Sequence, residues 1–124
     1  TLRELRAEAP ANAETFVVDY ASLAGCVTAR LQDGNRSAFF QDVGDLGYSV
    51  VNLPAVKRTT VTGRISDLNV IDFLFQGSPD GKTLVESRWG AAFSGGASEG
   101  RGYGKRVDSV AWPIIRKCEE EIGG

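Results

Sequence analysis

Apolar positions in the first third of the chain recur every three or four residues. Phe16, Tyr20, Leu23, Val27 and Leu31 would share one face of a helix. Pro10 closes what precedes them, Asn12 is a suitable N-cap, Glu14 places a negative charge in the first turn, and Asp33-Gly34 offers a left-handed terminus. The pattern predicts a helix over about residues 13–32. Beyond it the period shortens toward two. Gly47–Asn52 leads to the breaker Leu53-Pro54, and Val56–Ile65 is rich in Thr and Val, as a partly exposed strand requires. Ser37–Phe40 reads as a short strand or as a loop packed by its aromatics. Val70–Phe75 and Thr83–Trp89 flank Gly77-Ser78-Pro79-Asp80-Gly81, where proline followed by Asp-Gly suits a type I turn. Ile71, Phe73 and Phe75 alternate to one side, as do Val85 and Trp89, so one sheet face should be covered and the other wet.

The glycine-rich run Ala91–Lys105 reads as a flexible connector. After it, Val107, Val110, Ala111, Ile114, Ile115, Cys118 and Ile122 follow helical spacing. Pro113 should kink this helix unless the helix begins near Ser109. The expected architecture is α+β: a four-stranded antiparallel sheet with an N-terminal and a C-terminal helix packed on one face. Residues 1–12, polar and Ala-rich, are expected to form a flexible leader or tether, and residues 13–124 a single domain.

Composition narrows the function. With 14 basic and 16 acidic residues among 124 and a formal charge of -2, the chain lacks the basic excess of a nucleic-acid binder. No apolar run approaches the roughly 20 residues of a membrane-spanning helix. Histidine is absent, which removes imidazole-based catalysis and the histidine-containing zinc sites. The acidic stretch around Asp42 and Asp45, with Asn35, lacks the alternating ligand spacing of a calcium loop. No metal or cofactor is expected.

Cysteine usage gives the strongest functional signal. Leu23-Ala24-Gly25-Cys26 has the form that precedes an acylated cysteine in bacterial lipoproteins, but Glu14, Asp19 and Ser22 interrupt the apolar stretch that such a signal needs. Cys26 is read instead as a helix residue paired with Cys118, the only other cysteine. That bridge would close a long loop, on the order of 4 kcal/mol in the chain-entropy view, and would place the protein in an oxidising compartment, the periplasm or outside the cell. A tether to the envelope through a removed N-terminal region is part of the same expectation.

Gly95–Arg106 resembles a phosphate-binding loop only superficially. The position five before Gly104-Lys105 is Glu99 rather than glycine, and Arg106 follows where Ser or Thr is required. Arg101, Tyr103, Lys105 and Arg106 are instead candidate partner contacts. Lys57, Arg58 and Arg64 read as a solvated sheet face that discourages edge pairing. The sequence thus points to a non-catalytic, bacterial-type envelope or secreted domain that binds another macromolecule, possible partners including another envelope protein. An inhibitor or immunity-type protein is the first alternative, and a small ligand-binding or hydrolytic domain using a cleft carboxylate, Glu86 or Asp72, is the second. Asp67 is a further candidate for such a carboxylate pair, and Trp89 and Trp112 read as core or seam packing rather than as a ligand surface.

Overall fold

The computed structural model describes residues 3, 6–34, 46–65, 68–89 and 98–123, the side chains of 34, 65, 68 and 98–103 aside. Its elements are β1 (Asn12–Phe16), α1 (Tyr20–Gly34), β2 (Gly47–Leu53), a 3-10 turn (Pro54–Val56), β3 (Arg58–Ile65), β4 (Leu68–Gly77), β5 (Thr83–Arg88) and α2 (Ser98–Gly123). The strands form one antiparallel sheet in the order β1-β5-β4-β3-β2. The fold is therefore α+β with both helices on one sheet face, but with five strands rather than four.

The extra strand corrects the expected start of the first helix. Residues 12–16 pair with Ser87–Thr83 of β5, and burial alternates along Phe16, Val17 and Val18, with only Val17 exposed. Thr15, Val17 and Val18 are β-branched, which favours the pleated conformation. The helix cap is Asp19, not Asn12: its Oδ2 accepts a hydrogen bond from the Ser22 N–H at 2.9 Å. Phe16 joins the core from a strand, and the buried stripe of α1 is Leu23, Ala24, Val27 and Leu31.

The remaining strands follow the expected meander. Between Ser78 and Gly81 a turn closes with Gly81 N–H to Ser78 O at 3.1 Å, and Gly81 takes the positive φ of 84° that only glycine adopts freely. The Asp80 carboxylate accepts from the Lys82 N–H at 3.1 Å. Between β3 and β4 the register shifts at Gly63/Arg64: Gly63 faces Ile71 and Arg64 faces Asn69, so Val70 is the extra residue of a bulge.

The second helix departs further from expectation. It begins at Ser98 and runs through Pro113, so part of the glycine-rich run is helical. Gly104 shows one reason for glycine there: a Cβ would lie 2.6 Å from Trp89 Cβ and 2.7 Å from the Val70 carbonyl oxygen. The helix reaches the sheet only because that side chain is missing. Residues 35–45, which include Asp42, Asp45 and the Ser37–Phe40 piece, lie outside the described residues, as does Asp67.

The core lies between the helices and the inward rows of the sheet, where Val61, Ile71, Phe73, Phe75 and Val85 meet Leu23, Val27, Val107, Ala111 and Ile115. The sulfur atoms of Cys26 and Cys118 lie 2.11 Å apart, at disulfide distance, joining α1 to α2. Asp108, 3% exposed, sits in the same layer. Its Oδ1 accepts from Trp112 Nε1 at 2.8 Å and its Oδ2 from Trp89 Nε1 at 3.0 Å and from the Asn12 side-chain amide. One buried carboxylate thus ties α2 to β1 and to the end of β5; Trp112 is a core residue, and the partly buried Trp89 packs against the core.

Tyr48 of β2 lies against Gly63, and its hydroxyl is buried with no hydrogen-bond partner among the described residues. Burial disfavours the tyrosinate and pushes this hydroxyl well above the usual tyrosine range. An unfolded chain releases the proton at about pH 10, whereas the folded chain holds it. Stability is therefore expected to be full below about pH 10 and to fall as pH rises beyond it. Tyr48→Phe should abolish that alkaline decline and leave stability at neutral pH unchanged or raised by up to about 1 kcal/mol, which urea midpoints at pH 8 and 10.5 would read.

Candidate binding surface

Helices α1 and α2 cover one side of the sheet. On the other side, register aligns Val51 with Thr60 and Leu74, Leu53 with Arg58 and Gln76, and Thr62 with Asp72 and Arg88. These rows outline a recess of about 300 Å³ lined by Val51, Leu53, Arg58, Leu74, Arg88 and the Arg6–Asp72 pair. Arg6 holds Asp72 by two hydrogen bonds, Nε to Oδ2 at 2.9 Å and Nη2 to Oδ1 at 3.0 Å, and Thr62 Oγ1 adds a third to Oδ1 at 2.8 Å. Such a fork is the strong form of a guanidinium–carboxylate contact. Hydrogen bonding to Asp72 raises the Arg6 pKa above its ordinary value against an opposing desolvation. Arg88 Nε donates to the Glu8 carbonyl at 2.9 Å, and the Arg88 guanidinium lies 3.6 Å from Glu86. Arg58 donates to the neutral Gln76 side chain at 2.8 Å.

A second recess of about 300 Å³ lies on the helix side of β2, between that strand and α1. Ala21, Gly25 and Ala29 form its wall, Val50 and Asn52 its strand side, and Thr28 contributes a hydroxyl that is nine-tenths buried and has no hydrogen-bond partner among the described residues. Asn52 accepts from Thr59 Oγ1 at 2.9 Å. The two recesses therefore flank the same strand, one under its even-numbered side chains and one under Val51 and Leu53.

The two sheet edges differ in chemistry. Beside β1, Glu14 faces Arg116 at 3.4 Å, and the Val17 N–H donates to Glu119 at 3.0 Å. Charged side chains thus dress that edge, one of the devices that block unwanted strand pairing. Strand β2, GYSVVNL, carries no charge, and Val50, Val51 and Leu53 are each about half exposed, as is Val56 just beyond. Lys57, Arg58 and Arg64 do not guard an edge, because β3 is the second strand in and β2 lies outside it.

Of the other residues singled out in the sequence, Lys105 and Arg106 are exposed on α2 rather than on a loop, and the side chains of Arg101 and Tyr103 lie outside the described residues. Asp72 and Glu86 lie on the sheet face opposite α1 and α2, not between the sheet and those helices, and Asp72 is engaged by Arg6 and Thr62. Sequence reasoning missed the β2 edge because an outermost strand is defined by strand order, which local periodicity does not encode. It missed Arg6 because that residue meets Asp72 only through the tertiary fold.

The class this defines is a one-sided α+β domain whose two helices are clamped by a cysteine pair and whose bare aliphatic edge lies between two recesses. No protein-family model matches the chain, and no curated protein matches its sequence.

Proposed function

We propose that the protein is a non-catalytic domain of an oxidising compartment, the bacterial-type cell envelope or the outside of the cell, that works by binding another macromolecule through the β2 side of its sheet. The observation that carries this reading is the contrast between a charged β1 edge and an uncharged, half-exposed β2 edge flanked by recesses on both faces. Exposed aliphatic surface grouped in this way marks contact sites. The cysteine pair at disulfide distance is consistent with a location outside the cytoplasm, and among the described residues no helix is long and apolar enough to cross a membrane. The engagement of both Asp72 oxygens by Arg6 favours binding over acid–base chemistry at that carboxylate. An inhibitor or immunity-type role would use the same surface and differs only in what is bound.

The test is a photoreactive benzoylphenylalanine at Val51, with the same group at the exposed Lys117 of α2 as control, irradiated in the native host. The expected result is an adduct with an envelope or secreted protein from position 51 and none from 117. Adducts with cytosolic proteins only, or no difference between the positions, would overturn the proposal.

A further inference from the structure

Building on the partner-binding reading, we infer that β2 is the seat of strand addition by an extended segment of another protein, one that alternates aliphatic and acidic residues. Strand β2 is the last in the sheet order and is paired only with β3 among the described residues. Alternate N–H and C=O groups of an antiparallel outer strand point away from its neighbour, so they are available to an incoming backbone. A strand of about seven residues would match its length.

Side chains of an added strand alternate between the two faces, and the structure offers a recess to each. On the helix side, Ala21, Gly25 and Ala29 keep α1 low enough to admit a branched aliphatic side chain beside Val50. On the open side, Val51, Leu53 and Leu74 surround the second recess.

Charge selects the occupant. Residues 46–65 include Lys57, Arg58 and Arg64 and no acidic residue. All three basic residues are exposed, and none forms an ion pair among the described residues. An acidic strand is steered to this hairpin, whereas the β2 edge of a second copy, GYSVVNL, brings no acidic side chain to meet these cations. The complementarity therefore favours a foreign acidic segment over self-pairing.

The experiment uses the full chain with its cysteines oxidised and an eight-residue peptide alternating valine and aspartate, capped at both ends. Its counterpart carries lysine in place of aspartate. Affinity is read by titration and the site by amide hydrogen exchange. Expected are protection of alternate β2 amides by the aspartate peptide, binding about tenfold or more tighter than that of the lysine peptide, and a reversed preference in the Arg58→Glu/Arg64→Glu variant, whose exposed substitutions leave the core untouched. Equal binding of both peptides, protection of β1 instead of β2, or β2 amides protected by dimerisation without peptide would each overturn the inference. A Val51 cross-link to an envelope or secreted partner, together with failure of the aspartate peptide, would refute strand addition and leave the binding function standing.

Discussion

Replacing both cysteines, Cys26→Ser with Cys118→Ser, is expected to cost about 4 kcal/mol of stability. The bridge spans 92 residues of sequence, so breaking it returns a large closed loop to the conformational freedom of the unfolded chain. For a domain of this size that corresponds to a melting point lower by about 15 °C. Cys118 is fully buried while Cys26 is partly exposed, so serine at 118 adds a hydroxyl to the core. The wild-type chain unfolded with reductant present separates the two effects, because it loses the bridge and keeps the sulfur. A urea midpoint that does not move on reduction would show that the bridge does not limit stability. The mass of the protein taken from its host and alkylated before reduction gives the companion result. No added alkyl groups are expected, and two would remove the basis for an oxidising location.

Asp108→Ala should cost about 2 kcal/mol. The substitution leaves the partly buried Trp89 indole N–H without its acceptor, while the exposed Asn12 amide can turn to water, and a buried donor left without an acceptor costs about 1–3 kcal/mol. Trp112 is partly rescued, because its Nε1 also lies 3.2 Å from Ser87 Oγ. Asp108→Asn keeps the shape and one oxygen, so it should fall between wild type and alanine. Urea unfolding measures the loss, and tryptophan emission reports the cause, since both tryptophans of the chain donate to this carboxylate. An alanine variant as stable as wild type would show that water or a shifted side chain fills the gap without cost.

These two sites differ in how far the sequence revealed them. The cysteines were legible because each lay on or beside a helical apolar stripe, and two such helices on one sheet face bring those stripes together. Asp108 was not legible: it is a polar residue beside an apolar stripe, which in sequence looks like a solvated position. Its donors come from residues 12, 89 and 112, distant in the chain. Strand β1 was missed for a related reason. Phe16 fits a three-to-four spacing with Tyr20 as well as a two-residue alternation with Val18, and only the β-branched neighbours and the Asp19 cap decide between them. The β2–β5 meander was legible because its turns carry their own chemistry, Leu53-Pro54 at one and Pro79-Asp80-Gly81 at another. The helical start of α2 was hidden because glycine lowers helix propensity, and the packing of Gly104 against Trp89 and Val70 that offsets this is tertiary.

The placement of β1 has a consequence for how the molecule is made. Asn12 pairs with Ser87 and Phe16 with Thr83, so among the described residues β1 has no strand partner until β5 has been synthesised. Cys26 likewise waits for Cys118. The meander can assemble from contacts close in sequence, but β1 and the sulfur bridge close only after β5 and then α2 have been made, which keeps β1 and Cys26 waiting while the intervening strands form.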